Sequence, residues 1–223
     1  MTIDLDRTAI LAVDLQNEYR HGAAWPVFGY DMILANTAAV MAAARRAKVP
    51  VFHVQAWVEE NARADYARLK ECLPEDLRSA VAGSAGADIC AEVAPVEGDI
   101  VVRKKWPSAF QETGLDRDLR QRSIENLIVA GVWTDSCVRG SVFDAVYNGY
   151  RVWLVKDACG SMTEMMHRVA ILDMANRLYG GGVLATAEAL KALAGMDHRA
   201  WTCTRPIEFR YDASNYDRLY EVL

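Results

Sequence analysis

The stretch "NLIVAGVWTDSCV", residues 126–138, decides how this chain is read. Its first seven residues, Asn126 to Val132, form an apolar run with the length and character of a strand buried on both faces. The run ends in Thr134, Asp135 and Ser136, side chains suited to capping a helix, and a helical pattern follows from about Ser136 to Asn148. A buried strand that turns directly into a helix is half of a βαβ unit. In that turn stands Cys137, and no histidine lies within 25 residues of it on either side. If the thiol is a nucleophile, a distant part of the chain must activate it.

The same alternation extends in both directions. Upstream lie the apolar runs "AILAVDL" (9–15), "VPVFHVQA" (49–56) and "DIVVRK" (99–104), the first two separated by a helix at about Asp31 to Lys48. That helix carries Leu34, Ala38 and Met41 on one face and Arg45, Arg46 and Lys48 at its end, with Pro50 beyond as a stop. A short helix is expected near Leu115 to Gln121. Downstream come "YRVWLV" (150–155), a helix around Glu164 to Leu178, "GVLAT" (182–186) and a helix near Ala187 to Leu193. Strands alternating with helices, most of the strands apolar on both faces, predict an α/β fold of three layers: a Rossmann-like open parallel sheet of about six strands with helices on both faces. Residues 1–195 form this domain. Residues 196–223, with Trp201, Tyr211, Tyr216 and Tyr220 among charges, fall outside the pattern and read as a C-terminal extension packed on the domain or at a subunit interface. The region 57–96 is the least legible, either extending the layers or forming a lid.

Composition narrows the function classes. With 223 residues, 52% of them hydrophobic, the chain has ample material for one continuous core. A net charge of −5 with scattered lysines and arginines argues against nucleic acid as a partner. No apolar run approaches membrane-spanning length, and the acidic residues at the amino terminus are the reverse of a secretory signal. Five cysteines, at 72, 90, 137, 159 and 203, form no CxxC pair and are expected to be reduced thiols. The expectation is a cytoplasmic protein with no membrane partner. No GxGxxG follows the first strand and no GxSxG is present, which argues against a dinucleotide-dependent oxidoreductase and a serine hydrolase.

In open parallel sheets the binding crevice lies beyond the carboxyl ends of the strands. Three strand ends carry unusual polar residues: Asp14, the pair Lys104 and Lys105, and Cys137. Each has an ordinary reading taken alone, as a loop carboxylate, a solvated lysine or an inert core thiol. Together they are a candidate site, because a cysteine at a helix start and near an ammonium has its thiolate favoured by both. Adjacent strand residues point to opposite faces, so only one of the two lysines faces such a site.

These residues sit in segments that resemble the isochorismatase-like cysteine hydrolases, which include nicotinamidases and N-carbamoylsarcosine amidohydrolase. "AVDLQNEY" resembles the family's first-strand signature, "KKWPSAFQETGL" its lysine segment, and "AGVWTDSCVRGSVFDAVYNGYRVWLVKDA" its cysteine segment, in the family's order over about residues 8 to 195. The resemblance implies a catalytic triad of Asp14, Lys104 and Cys137, with Lys104 favoured because the family's lysine stands six residues before the phenylalanine here numbered Phe110. It implies an amidohydrolase that forms a thioester at Cys137. The oxyanion hole would be made of the backbone N–H groups of Trp133 and Cys137, exposed by a cis peptide between Val132 and Trp133. Independently of the resemblance, aromatic residues near the expected rim, Trp25, Phe28, Tyr30, Trp57, Trp106 and Trp133, are candidates to wall a pocket for a flat or apolar amide, with Gln16 and Phe110 as further substrate-binding candidates. Gln16 alternatively satisfies backbone groups, and Ser108 and Phe110 alternatively shape the loop that holds Lys104.

Departures from the family narrow the substrate. The second strand is followed by no H-x-x-H, so no metal and no cofactor are expected, and His53 reads as a packed histidine. The sequence around Cys137 is nearest to the carbamoylsarcosine and maleamate amidohydrolase branch. That branch uses an arginine to bind a substrate carboxylate where this chain has Met162. Arg139 is expected to face away, towards a carboxylate or a subunit partner. The partner molecule is then a small amide or carbamoyl compound, and relatives that form dimers and tetramers imply a homo-oligomer. The reading from another class is a catalytically silent member acting as a binding or scaffold protein.

Overall fold

The structure is a computed structural model and describes residues 3–59 and 78–223. Cys72 lies outside the described residues, as does the part of the region 57–96 between residues 60 and 77, so the lid reading falls partly outside them. Six strands form one parallel sheet: β1 (Thr8–Val13), β2 (Val51–Ala56), β3 (Ile100–Lys104), β4 (Asn126–Val132), β5 (Arg151–Gly160) and β6 (Gly182–Leu184). Their order is β3-β2-β1-β4-β5-β6. The chain winds outward from β1 to β3 and then crosses back to lay β4 on the other side of β1, so the winding direction reverses between β1 and β4. The carboxyl ends of those two strands therefore flank a crevice.

Every residue of β1 and of β4 is buried, as their unbroken apolar sequences require for central strands covered on both faces. The alternation of side chains sorts them into two cores. Ile10, Ala12, Ile128 and Trp153 pack with Ile33, Leu34, Val40 and Met41 of helix α1 (Tyr30–Arg46) on one face. Leu11, Val13, Leu127 and Val129 pack on the other with Leu115 and Leu119 of α2 (Leu115–Gln121), Val142 and Ala145 of α3 (Arg139–Tyr147), and Ile171 and Leu172 of α4 (Glu164–Ala175). Helix α5 (Thr186–Leu193) joins the first core through Ala189, Ala192 and Leu193.

Two boundaries differ from the sequence expectation for physical reasons. Strand β5 runs on to Gly160, because after a register shift between Val129 and Gly131 it resumes pairing, Cys159 with Gly131 and Gly160 with Val132. The helix expected from Ser136 begins instead as a π-turn, Thr134–Val138, in which Val138 N–H donates to the Trp133 carbonyl before α3 continues.

Residues beyond 195 run back over their own chain. Trp201 makes an antiparallel bridge to Val183 of the edge strand β6. The Asn176 amide clasps the backbone of Phe209 through two hydrogen bonds of 2.9 and 2.7 Å. The final helix α6 (Tyr216–Tyr220) packs on α4, where Arg168 faces both Asp217 and Glu221 at 3.2 Å.

Candidate active site

The three polar strand ends meet at the β1/β4 switch. Asp14 follows β1 with a left-handed backbone (φ 49°), its N–H donating to the Val54 carbonyl at 2.9 Å. This turn carries the carboxylate off the end of the strand and over the crevice. Lys104 ends β3 on the same face as Val102, and its Nζ lies 2.8 Å from Asp14 Oδ2 and 3.3 Å from Cys137 Sγ. The side chains of Lys104 and Asp14 are only 2% and 1% exposed, so this ion pair is removed from solvent. Lys105 points the other way and pairs with Glu112 at 3.0 Å.

The lysine loop is fastened to the cysteine helix. Ser141, one helical turn after Cys137, donates to the Cys137 carbonyl at 2.7 Å and accepts from Ala109 N–H at 2.9 Å. Ser108 Oγ donates to Asp144 Oδ2 at 2.5 Å. The residues flanking Lys104 and those flanking Cys137 are thus held in register by side chains of α3. Neither Ser141 nor Asp144 was singled out from sequence; the i, i+4 spacing from Cys137 to Ser141 was the available signal.

Burial, reinforced by the Asp14 carboxylate, pushes the Cys137 thiol up to about 12, while the Lys104 ammonium acts in the opposite direction. This corrects the expectation that the helix start and the cation favour the thiolate at rest. Asp14 and desolvation prevail, and the thiol holds its proton. Burial works against the Lys104 ammonium, but Asp14 and the sulfur outweigh it and hold its pKa above the ordinary lysine value. The resting arrangement is therefore a protonated thiol beside a carboxylate and a locked ammonium.

The peptide between Val132 and Trp133 is cis. Trp133, at the amino end of the cysteine turn, packs its ring against Tyr19 (5.9 Å between centroids) and Trp25 (6.4 Å), and Tyr19 packs against Tyr30. The buried indole N–H groups of Trp25, Trp106 and Trp133 have no hydrogen-bond partner among the described residues. Trp57 instead lies beneath the Arg103 guanidinium, 4.0 Å from its ring centre, and donates to Glu59 at 3.1 Å.

Three residues expected around substrate are otherwise engaged. Gln16 spends its amide on the backbone, donating to the Ala56 and Ala87 carbonyls at 2.9 and 2.7 Å and accepting from Ala56 N–H at 2.9 Å. Phe110 packs on Tyr150 within the second core. Phe28, 59% exposed, lines a cavity of about 110 Å³ at the end of β5 together with Cys159, His167 and Tyr220. His53 is buried against Asp99 at 3.0 Å, and Arg139 is taken up by Asp173 at 2.7 Å. Among the described residues no three His, Cys, Asp or Glu side chains come together as metal ligands. No helix among the described residues is long and apolar enough to cross a membrane.

The isochorismatase domain matches residues 8–188. The chain belongs to the isochorismatase family. Its family relatives include N-carbamoylsarcosine amidase of Arthrobacter sp., 29% identical over 84% of this chain and 72% of that protein. A protein of Arabidopsis thaliana named "Probable inactive nicotinamidase" is 32% identical over 76% of this chain and 88% of its own. Among solved structures, a cysteine hydrolase from Pseudomonas syringae pv. phaseolicola superposes with a TM-score of 0.77 at 25% identity, covering 87% of this chain and 96% of that one.

Proposed function

We propose that this member of the isochorismatase family is a cysteine-dependent amidohydrolase that cleaves the C–N bond of a small amide or carbamoyl compound through a thioester. The observation that carries the reading is the single Lys104 Nζ standing within reach of both the Asp14 carboxylate and the Cys137 sulfur. Asp14 takes the thiol proton as the sulfur attacks the carbonyl carbon, which avoids a free thiolate in a setting that disfavours it. Lys104 keeps its charge throughout and holds the carboxylate and sulfur together. The carbonyl oxygen becomes an oxyanion facing the N–H groups of Trp133 and Cys137. Collapse breaks the C–N bond, the leaving nitrogen takes the proton from Asp14, and the acyl group remains on Cys137. Water then gives a proton to Asp14 and attacks the thioester; the acid departs and the thiol is restored.

The substrate class follows from the walls. Rings from Tyr19, Trp25 and Trp133 meet edge-on or tilted beside the cysteine turn, which suits a flat or apolar amide better than a urea-like molecule. The test is an ammonia-release screen over aromatic amides, aliphatic amides, carbamoyl amino acids and ureas, with acid quenching and mass spectrometry of Cys137. An acyl adduct on Cys137 that accompanies ammonia, and is absent from Cys137→Ser, is the expected result. Labelling of Cys137 by iodoacetamide with no ammonia from any compound would instead favour a silent binding protein.

A further inference from the structure

A chain of side chains ties the C-terminal extension to the turn that carries the cysteine. Thr134 is fully buried in that turn, three residues before Cys137 and one after the cis peptide. Its Oγ1 lies 2.9 Å from Nδ1 of His167 on α4, and Nε2 of the same ring lies 3.0 Å from the hydroxyl of Tyr220 on α6. The His167 and Tyr220 rings also meet edge to face, 5.6 Å apart.

Tyr220 is itself fixed. The Arg168 guanidinium and the Lys156 ammonium lie over its ring at 4.9 and 4.7 Å, and Lys156 donates to its carbonyl at 3.4 Å. Arg168 further holds α6 through Asp217 and Glu221. All of α6 lies beyond residue 188, where the match to the family domain ends.

We infer that Tyr220 is a positioning residue: its hydroxyl, acting through the His167 ring, sets Thr134 and thereby the turn that presents Cys137. A neutral imidazole has one donor and one acceptor nitrogen, so the two hydroxyls take opposite roles on the one ring. When Tyr220 donates to Nε2, Nδ1–H donates to Thr134; when Nε2–H donates to Tyr220, Thr134 donates to Nδ1. Removing the Tyr220 hydroxyl leaves Nε2 buried and unpartnered, so the ring is held on the Thr134 side alone and no longer fixed from behind. The side-chain tether from the cysteine turn to α4, Thr134 to His167, is thereby loosened. The extension on this reading is a working part of the site.

As an effect on hydrolysis the inference rests on the proposed thioester chemistry, so its test uses a readout that needs no substrate. The rate of Cys137 alkylation by iodoacetamide is followed in the full chain for Thr134→Val, Tyr220→Phe and the double variant. Loosening the turn exposes a thiol that burial restrains, so each single change speeds alkylation about threefold or more, and the double change does no more than the larger single one. If Thr134→Val does not fold, His167→Gln takes its place in the cycle. Alkylation of Tyr220→Phe at the wild-type rate overturns the inference, as do effects that multiply in the double variant, because independent local destabilisation combines in that way. Where hydrolysis is measurable, Tyr220→Phe lowers kcat and leaves KM unchanged. Absence of hydrolysis in every protein, with the alkylation coupling intact, counts against the proposed chemistry and leaves the coupling standing.

Discussion

Gly131 lies directly against Val13: a Cβ at position 131 would stand 2.1 Å from the Val13 carbonyl oxygen and 2.6 Å from its nitrogen. The two residues are register partners in the last rungs of β1 and β4, immediately before Asp14 and the cis peptide. Gly131 also has φ 125°, a conformation that side chains rarely adopt. Close approach of these two strands is therefore what brings the carboxylate and the cysteine turn to one crevice. Gly131→Ala is expected to destabilise the fold by at least about 3 kcal/mol, through overpacking and backbone strain together. Urea unfolding measures this, and a midpoint near that of the wild type would refute the claim.

The charges around Cys137 predict opposite effects of two substitutions on thiol reactivity. Asp14 raises the thiol pKa and Lys104 lowers it. Asp14→Asn removes the raising charge, so more thiolate exists at a given pH and alkylation at pH 8 quickens by about tenfold, one pKa unit. Lys104→Met does the reverse and slows it. Hydrolysis falls by about a hundredfold or more in both, since the proton acceptor is lost in one and the alignment in the other. Slower alkylation in Asp14→Asn would show that the carboxylate acts on the thiol as a base even towards iodoacetamide, and the electrostatic account would fail.

Ser141 joins the two halves of the site without entering it. Ser141→Ala strips a partner from the Cys137 carbonyl and from the Ala109 N–H in a fully buried place. The expected cost is about 1–3 kcal/mol of stability, accompanied by a fall in kcat as the Lys104 loop drifts from the cysteine turn. Ser141→Thr, which keeps a hydroxyl, should recover part of both. Stability within about 0.5 kcal/mol of wild type in the alanine variant would mean that the staple carries no weight.

The fold was legible in the sequence wherever burial on both faces produced unbroken apolar runs, as in β1 and β4, and where Gly or Pro ended the helices between them. The meeting of Asp14, Lys104 and Cys137 was readable because parallel strands put all their carboxyl ends on one rim. What escaped were properties set by neighbours distant in sequence. Gln16 and Phe110 have side chains apt for a pocket, but contacts with Ala56, Ala87 and Tyr150 decide where they go. The resting state of Cys137 was misread because the helix start and the lysine were weighed without burial and Asp14. His167 drew no notice because it lies well beyond the strand ends in sequence, on the first turn of α4, and only folding brings it to Thr134.

That same histidine makes the protein sensitive to acid. Burial, with Arg168 nearby, pushes His167 down to about 4, against an ordinary value of about 6.5 when unfolded. The unfolded chain therefore binds a proton between these values that the folded chain refuses, and stability falls as pH drops through the window. The loss is about 3 kcal/mol by the time the pH reaches 4. His53, also lowered by burial, and Asp99, held low by Arg45 and His53, act in the same direction. Urea midpoints measured from pH 7.5 to 4 should decline, and His167→Gln, with no group to titrate, should decline distinctly less over the upper part of that range. An unchanged slope in His167→Gln would place the acid sensitivity elsewhere and would mean that the imidazole is not held neutral between Thr134 and Tyr220.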